Sequence, residues 1–340
     1  MEEKKRLDRS KNPFFEHGEV ELFLAYRNGT PVGRIAAVEN SLHNQVHEDR
    51  LGFFGQFECI DDPEVAHALL DRAAEWVENR GFDTIRGPVN FSMNEESGLL
   101  IEGFDDTPAI LMTYNPPYYE ALLEGWGLTK AKDLLAWHGG KGTFDEERFE
   151  RMHRRTIERS GLDIRVRSLN MKDFDNEVRL IRDLYNAGWE KNWGFVPMTD
   201  AEVHHMAKSL RPVVDPDLAM IGEIEGEPAG FALSLPDINQ ALHRINGRLF
   251  PFGIFKLLLG MKKITRVRVI TLGVLPEYRR SGLDALLYYQ SFRRATDQGL
   301  SGESSWILED NREMNRAQEK MGLALAKTYR LYDKALTAGA

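Results

Sequence analysis

The sequence contains little cysteine, no excess of positive charge and no long hydrophobic run. A single cysteine, Cys59, cannot form an internal disulfide, so a reducing compartment, the cytoplasm, is the expected location. The polar start MEEKKRLDRSKN is not typical of a signal peptide. Of 340 residues, 44 are Lys or Arg and 53 are Asp or Glu, which gives a net charge of −9. A nucleic-acid partner would require a basic face, and none is expected.

The most apolar segment, 249–260 (LFPFGIFKLLLG), is too short to span a bilayer and contains Lys256. No membrane span is therefore expected. A buried or partner-facing helix is the simplest interpretation. A lid over an apolar ligand, or a helix that touches a membrane, is the alternative.

The length favours two domains, and the chain repeats itself. GTPVG at 29–33 and GEPAG at 226–230 each lie between strand-like segments, as is typical of β-hairpins. Two long helices, predicted near 63–80 and 282–298, each end at a glycine. We therefore interpret the chain as two copies of one α/β unit. The first copy is incomplete, because it lacks a counterpart of 163–197.

The segment LGVLPEYRRSGLD at 272–284 reads as a buried strand, a short basic loop and the start of an amphipathic helix. A helix N-terminus offers unpaired N–H groups and partial positive charge, which suit a phosphate. Gly282 allows close approach of the backbone, and Arg279 and Arg280 add charge. The loop predicts a phosphate site, with an exposed basic turn as the alternative. Asp284, in the first helical turn, is expected to weaken binding without abolishing it.

This loop resembles the acetyl-CoA loop of the GCN5-related N-acetyltransferases (GNAT), written Q/R-x-x-G-x-G/A. Arg279 and Gly282 match that pattern, and Asp284 stands where glycine or alanine is usual. The segment 311–322 resembles the second signature of the family, N-x-x-A-x-x-x-Y-E-K-x-G, with Gln318 in place of the tyrosine. The resemblance covers about 163–337. It implies that acetyl-CoA is the cosubstrate, with these cofactor-binding residues: Leu272, Val274, Arg279, Arg280, Ser281, Gly282, Leu283, Asp284 and Asn311.

In the first copy, Asp61-Asp-Pro-Glu-Val-Ala66 stands where the second has the basic loop. The proline removes an N–H, and the carboxylates would repel a pyrophosphate. The predicted fold class is thus α/β, of the α+β kind, with two tandem GNAT-like mixed-sheet domains, the N-terminal one incomplete and degenerate. We expect this degenerate domain at 1–140, a linker helix at 141–162 and the acetyl-CoA-binding domain at 163–340.

The chemistry implied by the resemblance is direct attack of an amine on a thioester. Backbone N–H groups between Leu272 and Val274 would align the donor, and Gly273 would mark a bulge in that strand. Gln318 cannot usefully donate a proton, so Tyr332, or Tyr329 nearby, is the candidate acid for the leaving thiolate. Glu190 and Asp237 are the candidate bases. Packing or solvated roles are the alternatives for all of them.

Acceptor recognition is predicted from these residues: Trp189, Asn192, Trp193, Phe195 and Asn239. The loop 90–98 (NFSMNEESG) is either a second acceptor loop or a turn that satisfies its own polar groups. His43 and His47 are interpreted as polar-loop residues, and no metal is expected.

The predicted function is acyl-CoA-dependent N-acyl transfer, with acetyl as the acyl group and a primary amine of a small molecule or peptide as the acceptor. One alternative is a longer acyl or aminoacyl donor, accommodated by the apolar segment. The other is a non-catalytic acyl-CoA-binding or scaffold protein. A homodimer is a possible assembly.

Overall fold

The computed structural model describes residues 5–140, 142–143, 146–245 and 253–336. We refer to the part up to residue 140 as the first half and to the part from residue 163 as the second half. The strands of the first half are β1 (Gly18–Arg27), β2 (Thr30–Asn40), β3 (Leu51–Cys59), β4 (Thr84–Gly87), β5 (Leu99–Glu102) and β6 (Thr129–Gly139). Those of the second half are β7 (Ile164–Ser168), β8 (Ala219–Ile224), β9 (Glu227–Pro236), β10 (Arg266–Val274), β11 (Ser301–Leu308) and β12 (Ala324–Ala335).

The helices flank these strands. In the first half they are α1 (Ser41–His47), α2 (Pro63–Glu78) and α3 (Tyr119–Gly125), and α4 (Glu146–Ser160) joins the halves. In the second half they are α5 (Phe174–Trp189), α6 (Asp200–Leu210), α7 (Asn239–Leu242), α8 (Gly253–Met261), α9 (Leu283–Asp297) and α10 (Arg312–Lys320). Both long helices of the repeat therefore form where the sequence predicts them, as α2 and α9.

All twelve strands belong to one sheet, in the order β1-β2-β3-β4-β12-β6-β11-β10-β9-β8-β7, with β5 paired to β12. The two halves exchange their last strands. β12 pairs with β4 of the first half, β6 pairs with β11 of the second, and β6 and β12 pair with each other at the centre. The strand exchange makes the sheet continuous across both halves.

The two predicted hairpins have the same turn geometry. Asn28 and Gly29 both have positive φ (53° and 80°), as do Glu225 and Gly226 (54° and 85°). Two successive left-handed residues fit the two-residue turns that match the twist of antiparallel strands. The first turn connects the antiparallel strands β1 and β2, and the second connects β8 and β9.

The apolar segment at 249–260 differs from its simplest interpretation. Residues 249–252 lie outside the described residues, and the helix α8 begins at Gly253. Phe255 and Leu259 of α8 are 63% and 64% exposed, so the helix is not buried within the chain, and of the simplest interpretation the partner-facing form is left. In the described part of the chain, no helix combines the length and the apolar character needed to cross a bilayer.

Candidate functional site

A gap opens in the sheet between β10 and β11. The two strands run parallel and pair only from Arg266↔Ser301 to Val269↔Ser304, whereas β11 stays paired with β6 on its other side as far as Leu308. Beyond Val269, β10 continues to Val274 with β9 on one side and no described strand on the other. We call residues 271–274 of β10 the open edge. Its unpaired backbone groups can bind an extended ligand.

The backbone direction at the open edge follows from the ladder with β9. The N–H of Leu275 donates to the carbonyl of Ala229, at 2.8 Å. Hydrogen bonds alternate sides along an antiparallel strand. The N–H groups of Val274 and Leu272 therefore face the gap, the orientation that the resemblance requires of them.

The bulge in β10 is not at Gly273, so that expectation is wrong. Gly273 pairs in register with Phe231, and the irregularity lies between Val269 and Thr271. Glycine is needed at position 273 for a different reason: a Cβ there would collide with the ring of Trp189. The absence of a side chain thus allows the indole to lie directly on the open edge.

The basic loop follows the open edge and leads into α9. Gly282 caps this helix in a left-handed conformation, with φ 94°, and Arg280 is also left-handed, with φ 72°. The Ser281 Oγ accepts a hydrogen bond from the N–H of Leu283 at 3.2 Å. Arg279 donates from Nη2 to the carbonyl of Gly188 at 3.0 Å, which ties the loop to the last turn of α5. The Asp284 side chain is exposed in the first turn, where the other N–H groups have no intrahelical partner.

In the first half, the corresponding gap is filled by the chain itself. β3 and β4 pair in parallel from Leu51↔Thr84 to Phe53↔Arg86. Beyond this, the N–H of Val89 donates to the carbonyl of Phe54 at 2.8 Å, and the N–H of Gln56 donates to Asn90 Oδ1 at 3.0 Å. At the start of α2, the Asp62 carboxylate accepts from the N–H of Glu64 at 2.9 Å, so an acidic side chain occupies the helix end.

Two of the predicted acceptor residues, Asn192 and Trp193, share a cavity with Glu190, one of the two predicted bases. Glu190, Asn192 and Trp193 line a cavity of about 310 Å³ between the halves, opposite His43, His47 and Arg86. Trp189 and Phe195 lie elsewhere, around Tyr185, with ring centroids 5.0 and 5.5 Å from its ring. The aromatic cluster therefore covers the open edge, and the cavity lies beside it.

His43 and His47 lie on a helix, α1, so the interpretation as loop residues is wrong. The His43 side chain is buried, and burial lowers its pKa to about 3, helped by the charges of His47 and Arg86. His47 Nε2 lies 2.8 Å from the carbonyl oxygen of Phe195, which joins α1 to the second half.

Asp237 does not have the environment of a general base. Its carboxylate is fully buried and accepts from Arg266 Nε at 2.9 Å and Nη2 at 2.7 Å. Burial raises its pKa, and Arg266 opposes that rise. Asn239 donates to the carbonyls of Pro108 and Ala109, at 3.0 and 3.1 Å, so it joins the two halves and does not line the cavity.

Asp237 belongs to a cluster of buried charged side chains. Lys327 Nζ lies 2.9 Å from the Glu303 carboxylate and 2.7 Å from that of Asp106, which also pairs with Arg266. Lys327 and Glu303 have no exposed side-chain surface. This cluster could not be predicted from the sequence because its members come from five distant segments. The available signal was the charge of Arg266 and Arg268 in a strand that otherwise contains no charged residue.

Tyr332 lies far from the open edge. It is buried on β12, with its hydroxyl 3.4 Å from a carboxylate oxygen of Glu124 on α3 in the first half. The structure therefore offers no proton-donating role for it at the gap. Tyr329 is also buried, and its hydroxyl has no hydrogen-bond partner within the described ranges.

Another tyrosine, Tyr288 on α9, lies beside Gln318, the residue that replaces the signature tyrosine. Its hydroxyl contacts the sulfur of Met314 on α10 and lies next to the side chain of Gln318. Burial raises the pKa of Tyr288, so the hydroxyl stays protonated at neutral pH and can act as a donor. The sequence pointed to Tyr332 and Tyr329 on β12 instead, because the contact of Tyr288 with α10 joins segments that are far apart in the chain. Asn311 caps α10, with Oδ1 accepting from the N–H of Met314 at 3.2 Å.

The loop 90–98 reaches across to the aromatic cluster. Asn94 accepts from the Tyr185 hydroxyl at 2.8 Å and donates to the carbonyl of Val196 at 2.9 Å. Within the loop, the N–H of Asn90 donates to the carbonyl of Glu96, so the turn also satisfies part of its own backbone. Burial raises the pKa of Glu95 to about 7, against the lowering effect of Arg6 at 3.3 Å, although a quarter of its side chain is exposed.

Comparisons with known proteins give two full-length relatives. The chain is 39% identical over 344 residues to the bacterial ceramide synthase of Caulobacter vibrioides, an alignment covering 99% of this chain and 89% of that one. It is 37% identical over 335 residues to the protein YghO of Escherichia coli K12, covering 96% and 84%. No known protein-family model matches the chain.

Solved structures show the fold. A tandem GNAT protein from clavulanic acid biosynthesis superposes with a TM-score of 0.54 at 12% identity, covering 97% of this chain and 85% of that one. The GCN5-related glucosamine N-acetyltransferase region of a fungal multi-domain β-N-acetylglucosaminidase gives 0.54 at 14% identity, covering 97% and 34%. The predicted tandem GNAT fold is confirmed.

Proposed function

The chain belongs to the family of the bacterial ceramide synthase and YghO, and from this membership we propose that it transfers a long-chain acyl group from acyl-CoA to the amine of a long-chain lipid base. A ceramide is the amide formed from a fatty acid and such a base. The sequence predicted acetyl transfer, with a longer acyl donor as an alternative. The name of the first relative supports the longer donor.

The open edge of β10, ending in the basic loop, is the observation that carries the proposal. The N–H groups of Leu272 and Val274 face the gap and suit the amide carbonyls of a pantetheine arm. Arg280, Gly282 and the first turn of α9 suit the phosphates at its end. Asp284 reduces the positive potential there and weakens binding. The filled gap of the first half supports a single donor site per chain.

The reaction is attack of the acceptor nitrogen on the thioester carbonyl carbon, in which a C–N bond forms and the C–S bond breaks. Binding along the open edge would orient the thioester. Tyr288 donates its proton to the leaving thiolate. Glu95 follows Asn94, whose side chain binds Tyr185 beside Trp189, and burial raises its pKa to about 7, so it is our candidate to accept the proton that the amine loses.

The first half shapes the acceptor side of the site. Its loop 90–98 contacts Tyr185, which stacks beside Trp189 on the open edge. Its segment 106–111 is bound by Arg266 and Arg268 at the other end of β10. Large apolar rings beside the thioester position suit an acceptor with a hydrocarbon chain.

The proposal is tested with purified protein, sphinganine as the acceptor and a series of donors from acetyl-CoA to palmitoyl-CoA. Released CoA is measured with a thiol reagent and the amide product by mass spectrometry. We expect amine-dependent release with long-chain donors and little with acetyl-CoA. Equal turnover of acetyl-CoA would restore the acetyltransferase prediction. CoA binding without turnover of any donor would favour the acyl-CoA-binding alternative.

A further inference from the structure

We propose that the outer face of α8 docks on an anionic lipid bilayer. Ile254, Phe255, Leu258 and Leu259 are 45%, 63%, 56% and 64% exposed. They lie at helical spacing on one side, two pairs of residues four apart. Four large apolar side chains on a single short helix form a patch that a soluble surface rarely presents.

The opposite side of α8 is fixed to the protein. Gly253 and Gly260, seven residues apart, are the buried residues of this helix. A Cβ at Gly260 would lie 3.0 Å from the Cβ of Ala241 on α7, so the two helices pack closely. The apolar face is therefore held outward by the packing of its back.

The charges around α8 indicate that its partner is anionic. No Asp or Glu occurs between Asp237 and Glu277, in a chain of net charge −9. Lys256, Lys262 and Lys263 are exposed, and no ion pair involves them in the part of the chain that the structure describes. An apolar helical face bordered by unpaired lysines is typical of helices that lie in the interface of anionic membranes.

A second copy of the chain fits this face poorly. In a twofold interface the same patch meets itself. The lysines of the two copies would then face one another without acidic residues nearby in sequence to compensate them. A bilayer with anionic headgroups offers both the apolar interior and the opposite charge.

The position of α8 connects the membrane surface to the site. Asn239, at the start of α7, bonds the carbonyls of Pro108 and Ala109. The adjoining Thr107 carbonyl accepts from Arg266, the first residue of β10, at 3.0 Å. α8 thus stands at the end of β10 opposite the phosphate loop, where a lipid acceptor would enter. This step rests on the proposed function, whereas the docking itself does not.

The test is sedimentation of the full chain with vesicles of phosphatidylcholine alone and of phosphatidylcholine mixed with phosphatidylglycerol, without any substrate. We expect binding to the mixed vesicles. Phe255→Ser/Leu259→Ser should lower the affinity at least about tenfold, since it removes two inserted side chains. Lys262→Gln/Lys263→Gln should lower it about fivefold per lysine and reduce its salt dependence. The matched controls are Leu24→Ser/Tyr26→Ser, on the exposed face of β1, and Lys172→Gln/Lys191→Gln.

Failure of the wild-type chain to bind mixed vesicles would overturn the proposal, as would equal losses in the control variants. Dimerisation of the wild type that the Phe255→Ser/Leu259→Ser variant abolishes would assign the face to a second copy instead. Turnover of an acceptor dissolved in detergent is measured in parallel. Normal turnover without vesicle binding would contradict the docking of α8 on a bilayer but not the proposed function.

Discussion

The N–H of Val89 lies 2.8 Å from the carbonyl oxygen of Phe54, and this hydrogen bond closes in the first half the strand edge that stays open in the second. A Cβ at Gly55 would collide with the carbonyl oxygen of Val89, so the segment around Val89 packs closely against β3. The two halves thus differ at corresponding points of the sheet, β3 in the first and β10 in the second. This difference supports the proposal that the donor binds at β10 and that the first half shapes the acceptor site.

Gly282→Ala tests the loop. Alanine in a left-handed conformation costs about 1–2 kcal/mol, and its Cβ obstructs close approach of a phosphate. We expect at least a tenfold loss of CoA affinity, measured by calorimetric titration. Gly299→Ala is the matched control, because Gly299 follows the other end of α9 with φ 74° and open space around it. Equal losses in both variants would mean that stability, not the loop, determines binding.

Tyr288→Phe tests the proton donor. The protein keeps its ring and loses its hydroxyl, so we expect kcat to fall about 100-fold with KM nearly unchanged. Because burial raises the pKa of Tyr288, the wild-type kcat should show no decline up to about pH 10. Tyr289→Phe is the control, since its hydroxyl accepts from Arg293 at 3.0 Å instead. Full activity of Tyr288→Phe would exclude Tyr288 from proton transfer.

Glu95→Gln tests the base through the pH profile. A base must be unprotonated, so with a pKa of about 7 the rate should rise with pH below 7 and level off above it. In Glu95→Gln this rise should disappear, and the plateau rate should fall about 100-fold. Glu96→Gln removes a neighbouring charge that also raises the pKa of Glu95, so it should move the rise to lower pH without abolishing it. An unchanged profile in Glu95→Gln would assign the proton to another group.

Lys327→Met tests the buried charge cluster. Without the ammonium, Glu303 keeps a buried charge, and the free energy of unfolding in urea should fall by about 3–5 kcal/mol. Glu303→Gln in the same chain should restore part of that loss. Lys132→Met is the control, because its partner Asp310 is 59% exposed and such pairs contribute about 1 kcal/mol or less. Equal effects at Lys327 and Lys132 would contradict a structural role for the cluster.

Local features of the fold could be predicted from the sequence because local residues cause them. The glycine-containing turns of the two hairpins and the long helices α2 and α9, each ending shortly before a glycine, are features of this kind. The exchange of β6 and β12 between the halves could not be predicted. The residue pattern of each strand would allow pairing with either β4 or β11.

The site shows the same division. The basic loop was found because Arg279 and Gly282 stand together in a short motif. The hydrogen bond between Val89 and Phe54 and the Lys327–Glu303 pair join distant segments, and such contacts leave no periodic signal in the sequence. Tyr288 was missed because its role depends on the packing of α9 against α10.

The most direct test of the account is a calorimetric titration of the full chain with CoA. We expect one molecule bound per chain, with an affinity at least tenfold lower in Gly282→Ala and unchanged in Gly299→Ala. Two molecules per chain, or unchanged binding in Gly282→Ala, would contradict the assignment of the donor site to the open edge of β10.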